Sequence, residues 1–307
     1  MKIVKKTKRM KNFFRNDIWT LNMDELSKAK ARIVKYSKVA MITIKTFSSQ
    51  KIGYQAVALS FFSSLAAVPL VAIMFAVTDG IGLAEVMKDM IYKTFSSSQQ
   101  TIDTLLGFSE NVISQAQSSA MGLISSIFFG LTVIVLMLNI EKVFNNVWRV
   151  KERRKMVKRL SYVAIMILLS PFVVMLFFLG SIIYSHMLSS LGLDNESWGI
   201  IRTMASWALF GVLVTFVLTT MYKLIPNAEV SFGAAFRAAI PSALGFTIVQ
   251  FFYLETQVLV TNFNTIYGAF AAVPLFMIWL NLGWFVILMG AELSYAFQHV
   301  DSYKIED

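Results

Sequence analysis

The sequence predicts an all-α polytopic membrane helix bundle: six transmembrane helices, an amphipathic N-terminal helix and an extracytoplasmic helical segment. Three observations carry this. Of 307 residues, 56% are hydrophobic and only 15% charged, and mean hydropathy is +0.63, beyond the usual range of soluble chains. The apolar residues gather in runs long enough, at a helical rise of ~1.5 Å per residue, to cross a hydrocarbon core of ~30 Å. Finally, of the 28 Lys and Arg, all but Lys88, Lys93 and Arg202 fall on one side of those runs, which assigns both termini to the cytoplasm.

Three regions follow. Residues 1–50 form a basic cytoplasmic tail and an amphipathic helix, 51–298 the transmembrane domain with an extracytoplasmic insertion at 78–119, and 299–307 a cytoplasmic tail. The first residues are basic, but no apolar run follows at once, so a cleaved signal peptide is not expected. From Asp24 to Gln50, Leu26, Ile33, Tyr36, Ala40, Ile44 and Phe47 recur at helical spacing, with Lys28, Arg32, Lys35, Lys38 and Lys45 around much of the remaining circumference. Such a helix either lies on an anionic membrane surface or packs on the base of the bundle.

The first span is expected at Tyr54–Val77, with a small-residue stripe of Ala56, Ser60, Ser64 and Ala67 that allows close helix approach, and with Pro69 inside it. Residues 78–119 are too polar to span, although Leu83–Phe95 and Ile102–Gln117 keep helical periodicity. Further spans are expected at Ala120–Leu138, Leu160–Tyr184, Thr203–Tyr222 and Phe236–Val260. The last runs from Tyr267 to Gly290, punctuated by Pro274 and Asn281, with Glu292 where the chain leaves the bilayer. Pro69, Pro171, Pro241 and Pro274 all lie inside spans, and each frees a carbonyl that a neighbour, water or a substrate must satisfy. Trp19, Trp148, Trp198, Tyr267 and Tyr295, near span ends, read as interface anchors.

Four patterns, in order, resemble the YihY/BrkB family of bacterial inner-membrane proteins, once labelled ribonuclease BN. They are AVALSFFSSLAAVPL at Ala56–Leu70, NIEKVFNNVWRVKERRK at Asn139–Lys155, YKLIPNAEVSFGAAFRAAIPSALGF at Tyr222–Phe246 and YGAFAAVPLFMIWLNLGWFVILMGAEL at Tyr267–Leu293. The resemblance implies a six-helix inner-membrane bundle tied to envelope integrity and to export of lipid or solute, with no catalytic residues to carry over. The old ribonuclease label finds no support. Phosphodiester hydrolysis wants clustered carboxylates or histidines on metal ions, whereas Asp17, Asp24, Glu25, Glu141, Glu152, Glu229 and Asp301 are scattered without metal-ligand spacing. No Cys is present, which removes disulfides, thiolate metal sites and cysteine nucleophiles. The expectation is therefore a protein that is not an enzyme and uses no cofactor.

Two sets of site residues stand out. The first is the polar set within spans. Glu292 is costly inside a bilayer unless it meets water, a cation or a proton. Arg237, expected at the same level, is its candidate partner, the pair being either a structural clamp or a titratable gate. Gln250 and Gln257, seven residues apart, share a face that either lines a polar cavity or hydrogen-bonds Thr215 or Thr219, and Asn281 joins the candidate cavity residues. The second is the basic loop Arg149, Lys151, Arg153, Arg154, Lys155, Lys158 and Arg159. It reads either as a topology signal or as a collar for anionic phospholipid at the cytoplasmic face; nucleic acid is not expected, because no aromatic platform is interleaved with the charges. Further expected partners are a second copy of the chain or envelope proteins. The two function classes are a transporter-like protein handling lipid or another amphiphile, with a deep cavity lined by Gln250, Asn281 or Glu292, and a non-transporting envelope scaffold with a dry core.

Overall fold

The fold is known from a computed structural model, which describes residues 18–20, 27–94, 103, 107, 111, 114, 120–150, 154–190, 199–261 and 265–303. The described residues are all-α, in chain order α1 (Lys28–Ser49), α2 (Ile52–Gly80), α3 (Ala84–Thr94), α4 (Ala120–Val147), α5 (Met156–Ser190), α6 (Gly199–Leu224), α7 (Phe232–Thr261) and α8 (Thr265–His299). A helical turn at Ile18–Thr20 precedes them. Among the described residues, α2, α6 and the stretches Ile127–Val147, Phe232–Thr256 and Val273–His299 are each long and apolar enough to cross a membrane. Helix α5 is 35 residues long and runs through Pro171, but its side chains are described only in its first half.

The surface of these helices is that of a chain dissolved in lipid. Phe61 and Leu65 on α2, Phe128 and Leu131 on α4, Val212 and Phe216 on α6, and Leu244 and Phe252 on α7 are all exposed. Rows of large apolar side chains on that scale are not carried by a monomer in water. Burial concentrates instead at the end of the bundle where both described chain ends lie. There Lys35 pairs with Asp301 at 2.8 Å, and the rings of Trp19 and Tyr303 lie 5.9 Å apart. The turns after α4 and α6 meet at the same end, where Asn227 N donates to Asn145 Oδ1 at 2.6 Å. Gln298 bridges across to the α6–α7 turn, accepting from Ser231 N and donating to Glu229 O, each at 2.8 Å. We call this the closed end.

Small residues build it. Ala234, Ala235, Ala238, Ala239 and Ala243 of α7 are buried, so α6 and α8 approach closely where lipid supplies no drive for association. The tightest point is Gly290 on α8. A methyl group there would overlap the buried Ser242 hydroxyl and the Tyr222 hydroxyl, and would sit 2.8 Å from Ser242 Cβ. Tyr222 fills the space the glycine leaves, donating to Ile287 O at 3.0 Å. Opposite, α2 buries Ala56 and Ser60 of the expected small-residue stripe, and Trp284 Nε1 of α8 donates to Ser63 Oγ at 2.9 Å.

The helices outrun the spans read from the sequence. Helix α4 continues beyond Leu138 through Asn139–Val147, because Val143, Phe144 and Val147 find buried places in the closed end. It stops at Arg149, which adopts a left-handed conformation (φ 52°) while Val150 N returns to Asn145 O at 2.9 Å. Helix α1 packs on the bundle base against α8, the second of its two expected placements. The face that does so is Val39, Ile42, Thr43 and Thr46, whereas Ile33, Tyr36 and Ile44 from the expected stripe point outward. In the 78–119 segment, α3 buries Met87 against Met74 and Phe75. The expected helix at 102–117 and the tail before residue 18 lie outside the described residues, apart from isolated positions.

Candidate functional site at the closed end

Glu141 organises the base of the bundle. It rides on the extension of α4, is 3% exposed, and accepts from Arg159 Nε at 2.7 Å and Arg154 Nη1 at 3.3 Å. Arg154 also donates to the carbonyls of Ile225 (3.1 Å), Leu224 and Pro226 (3.3 Å each). These are oxygens that the end of α6 leaves without helical partners. Its guanidinium lies 4.3 Å from the Tyr162 ring centre. Arg159 donates further to Leu138 O at 3.3 Å. One buried carboxylate thus ties together α4, α5 and the α6–α7 turn, each of its oxygens paired with an arginine.

That network corrects the expected lipid collar. Arg154 and Arg159 turn inward onto Glu141 and so do not stand on an outer collar. Arg149 lies against the rings of Tyr295 (5.0 Å) and Tyr303 (6.0 Å). Lys155 and Lys158 remain exposed, and Lys151 and Arg153 lie outside the described residues. Trp148 and Tyr295 are corrected too: both are buried, with ring centres 5.6 Å apart and both rings against His299, so they are core and not interface anchors. Trp198 and the side chain of Tyr267 lie outside the described set.

The expected Arg237–Glu292 clamp does not form. Arg237 Nε donates to Gly233 O at 2.8 Å, and its guanidinium sits 5.4 Å from the Phe297 ring centre on the outer face. Glu292 points the other way, beneath α1, with no exposed surface. Neither carboxyl oxygen has a hydrogen-bond partner in the protein. Its polar neighbours are Thr46 and Arg149, but the Thr46 hydroxyl donates to Ile42 O at 2.7 Å. The helical register explains the miss: positions 233 and 237 turn to the outside of α7, while Ala234, Ala235 and Ala238 face α8. Ser294 Oγ and Trp148 Nε1 are also buried without partners at this end.

Further along the bundle, Gln250 Oε1 accepts from Trp279 Nε1 at 3.0 Å, so neither Thr215 nor Thr219 is its partner; those hydroxyls donate to Gly211 O and Thr215 O. Tyr253 and Phe276 stack on Trp279. Asn281 is half-buried, and the Gln257 side chain lies outside the described residues. None of Gln250, Asn281 and Glu292 lines the larger described cavity. That cavity is a crevice of about 470 Å³ between α2 and α4, walled by Gln55, Ala58 and Phe62 on one side and Asn139, Lys142 and Asn146 on the other, with Glu141 and Arg159 at its lining. The next exposed residues along the same helices are the apolar Phe61, Leu65, Leu131 and Val135. A chamber of mixed lining therefore adjoins exposed apolar surface on the same two helices. The sequence treated Glu141 as one scattered acid; its signal was a carboxylate one turn past an apolar run, with arginines 13 and 18 residues on.

A helical bundle with apolar flanks, a packed base and polar groups gathered at one end defines a polytopic α-helical membrane protein. Residues 43–307 match the family model described as virulence factor BrkB, and the chain belongs to that family, as the sequence motifs suggested. Its curated relatives include UPF0761 membrane proteins. The one from Acinetobacter baylyi is 28% identical over 278 residues, covering 87% of this chain and 63% of the relative. That from Legionella pneumophila strain Corby is 28% identical over 279 residues, covering 90% and 65%. The Actinobacillus pleuropneumoniae protein is 27% identical over 267 residues, covering 82% and 91%. The chain thus spans slightly under two thirds of the first two relatives. No solved structure matches.

Proposed function

We propose that this is a bacterial inner-membrane protein of six spans, with both termini in the cytoplasm, that handles a lipid or similar amphiphile through the crevice between α2 and α4. The carrying observation is the crevice itself: about 470 Å³ of mixed lining that continues into exposed apolar surface on the same two helices. A headgroup would meet amide and charged side chains while its chains stay in lipid. Glu141 is already neutralised by Arg154 and Arg159, which leaves Lys142, with no ion pair among the described residues, to favour an anionic or zwitterionic head. Six spans are supported by parity: the described ends of the chain and the turns after α4 and α6 share one end. The excess of Lys and Arg there argues that this end is cytoplasmic. No catalytic step belongs to this reading.

Native mass spectrometry of the purified protein, with analysis of extracted lipid, tests it. One tightly held amphiphile per chain, lost when Ala58→Trp fills the crevice, is the expected result; only a loose annulus shed with detergent, the same in both proteins, would refute it. The competing reading, a non-transporting envelope scaffold, has one observation in its favour. Gln250 is tied to Trp279 and Glu292 is sealed, so those polar residues form no open path through the described core.

A further inference from the structure

A second cavity, of about 380 Å³, lies on the outer face of the closed end, where α1 crosses α7 and α8. Its lining includes Arg32, Lys35, Tyr36, Arg237, Phe297 and Asp301. Three cations from two helices therefore face one acid. Lys35 Nζ is held 2.8 Å from Asp301 Oδ2, but that carboxylate is largely exposed and cannot neutralise all three. Arg237 gives its Nε to Gly233 O, a bond that fixes the guanidinium plane, which also rests on Phe297. Its terminal amino groups have no acceptor among the described hydrogen bonds. Arg32 is exposed on the next turn of α1 before Lys35.

We propose that this groove is a binding site for a phosphate anion. Convergent like charges on separate helices repel one another unless an anion joins them, and a pre-oriented guanidinium offers two parallel N–H donors that match phosphate oxygens. The surroundings point to the form in which the phosphate arrives. Along α7 from Arg237, Ile240, Leu244 and Ile248 form an exposed apolar ridge at helical spacing, and Ile33 and Tyr36 present apolar surface on the α1 side. A phosphodiester headgroup in the groove would have its acyl chains on that ridge. A soluble phosphate compound shares the headgroup chemistry but gains nothing from the ridge. The site is separate from the α2–α4 crevice and stands or falls independently of it.

The test uses the full chain in a phosphate-free maltoside detergent, with phosphatidylglycerol and inorganic phosphate as the two probes. Parent protein is expected to bind at least one of them. Arg237→Gln and the double variant Arg32→Gln/Lys35→Gln should each weaken that binding by about tenfold or more, as for loss of a charge-assisted donor. Asp301→Asn, which removes the competing carboxylate, should tighten it, a gain that misfolding cannot produce. In an Ala58→Trp background, which removes any binding at the other cavity, the same ranking of the variants should persist. Phosphatidylglycerol retained against millimolar inorganic phosphate identifies the source as lipid; inorganic phosphate bound directly, with no preference for the lipid, identifies a soluble compound. If neither probe binds, or if binding is the same in the Arg237, Arg32/Lys35 and Asp301 variants as in the parent, the groove is not a phosphate site.

Discussion

Gly290→Ala is the perturbation whose consequence follows most directly from the packing. The added methyl overlaps the Ser242 and Tyr222 hydroxyls and comes within 2.8 Å of Ser242 Cβ. Ser242 and Tyr222 are both buried, and the Ser242 hydroxyl is held by Ala238 O at 2.8 Å. A long flexible side chain would swing away; a serine Cβ moves only with its backbone, so α7 and α8 must separate. Forcing a methyl into a packed core costs ~1–3 kcal/mol. Displacing Tyr222 from Ile287 O adds the ~0.5–1.5 kcal/mol of a typical hydrogen bond. The sum, about 2–4 kcal/mol, is a large fraction of a normal folding free energy. Thermal unfolding of the detergent-purified protein at a fixed scan rate reads it as a lowered apparent Tm. Adding Ser242→Gly and Tyr222→Phe to Gly290→Ala removes each clash and should recover most of the loss. A Gly290→Ala protein that melts with the parent, or a triple variant no better than the single, would refute the close contact.

Other expectations follow from the same end of the molecule. Glu141→Gln strands two part-buried arginines and should cost ~3–5 kcal/mol in the same assay, whereas Lys35→Ala, at an exposed pair, should cost no more than ~1 kcal/mol. Glu292→Leu exchanges an unpartnered buried carboxyl for a side chain of similar size, and stability should be unchanged or raised; a loss comparable to that of Glu141→Gln would show that the carboxyl has a partner. Lys51 joins α1 to α2 with φ 53°, so Lys51→Gly should be neutral or stabilising, since glycine adopts that region without a Cβ clash. For topology, cysteines introduced at Gln99 and Asn195 in this cysteine-free chain should react with an impermeant maleimide outside the cell, and one at Lys155 should not; the reverse pattern would overturn the orientation.

The spans were legible because bilayer crossing imposes a length and an apolarity that one sequence displays openly. Their ends were not. Helix α4 continues through Asn139 and Glu141 because Phe144, Val147 and Arg159 find partners on other helices, information that no local window contains. Periodicity found the exposed stripe of α1, Ile33, Tyr36 and Ile44, and passed over Val39 and Ile42, because α1 carries apolar residues on more than one face and only its packing against α8 selects which is buried. The polar site residues were recognised by type but paired wrongly. Arg237 and Glu292 were expected at one level, yet they point to opposite sides of the α7–α8 contact, and rotation about a helix axis is set by packing that the sequence does not show. The seven basic residues of the loop likewise looked equivalent until Glu141 drew two of them inward.

The central claim, that the crevice between α2 and α4 serves an amphiphile, is tested most directly by reconstitution. Purified protein in liposomes carrying a fluorescent anionic phospholipid in one leaflet is followed by quencher accessibility over time. The account predicts that the parent accelerates exchange between leaflets above protein-free liposomes, and that Ala58→Trp, matched for reconstituted protein and melting behaviour, returns the rate to background. No acceleration by the parent, or equal acceleration by the variant with the crevice filled, would contradict it.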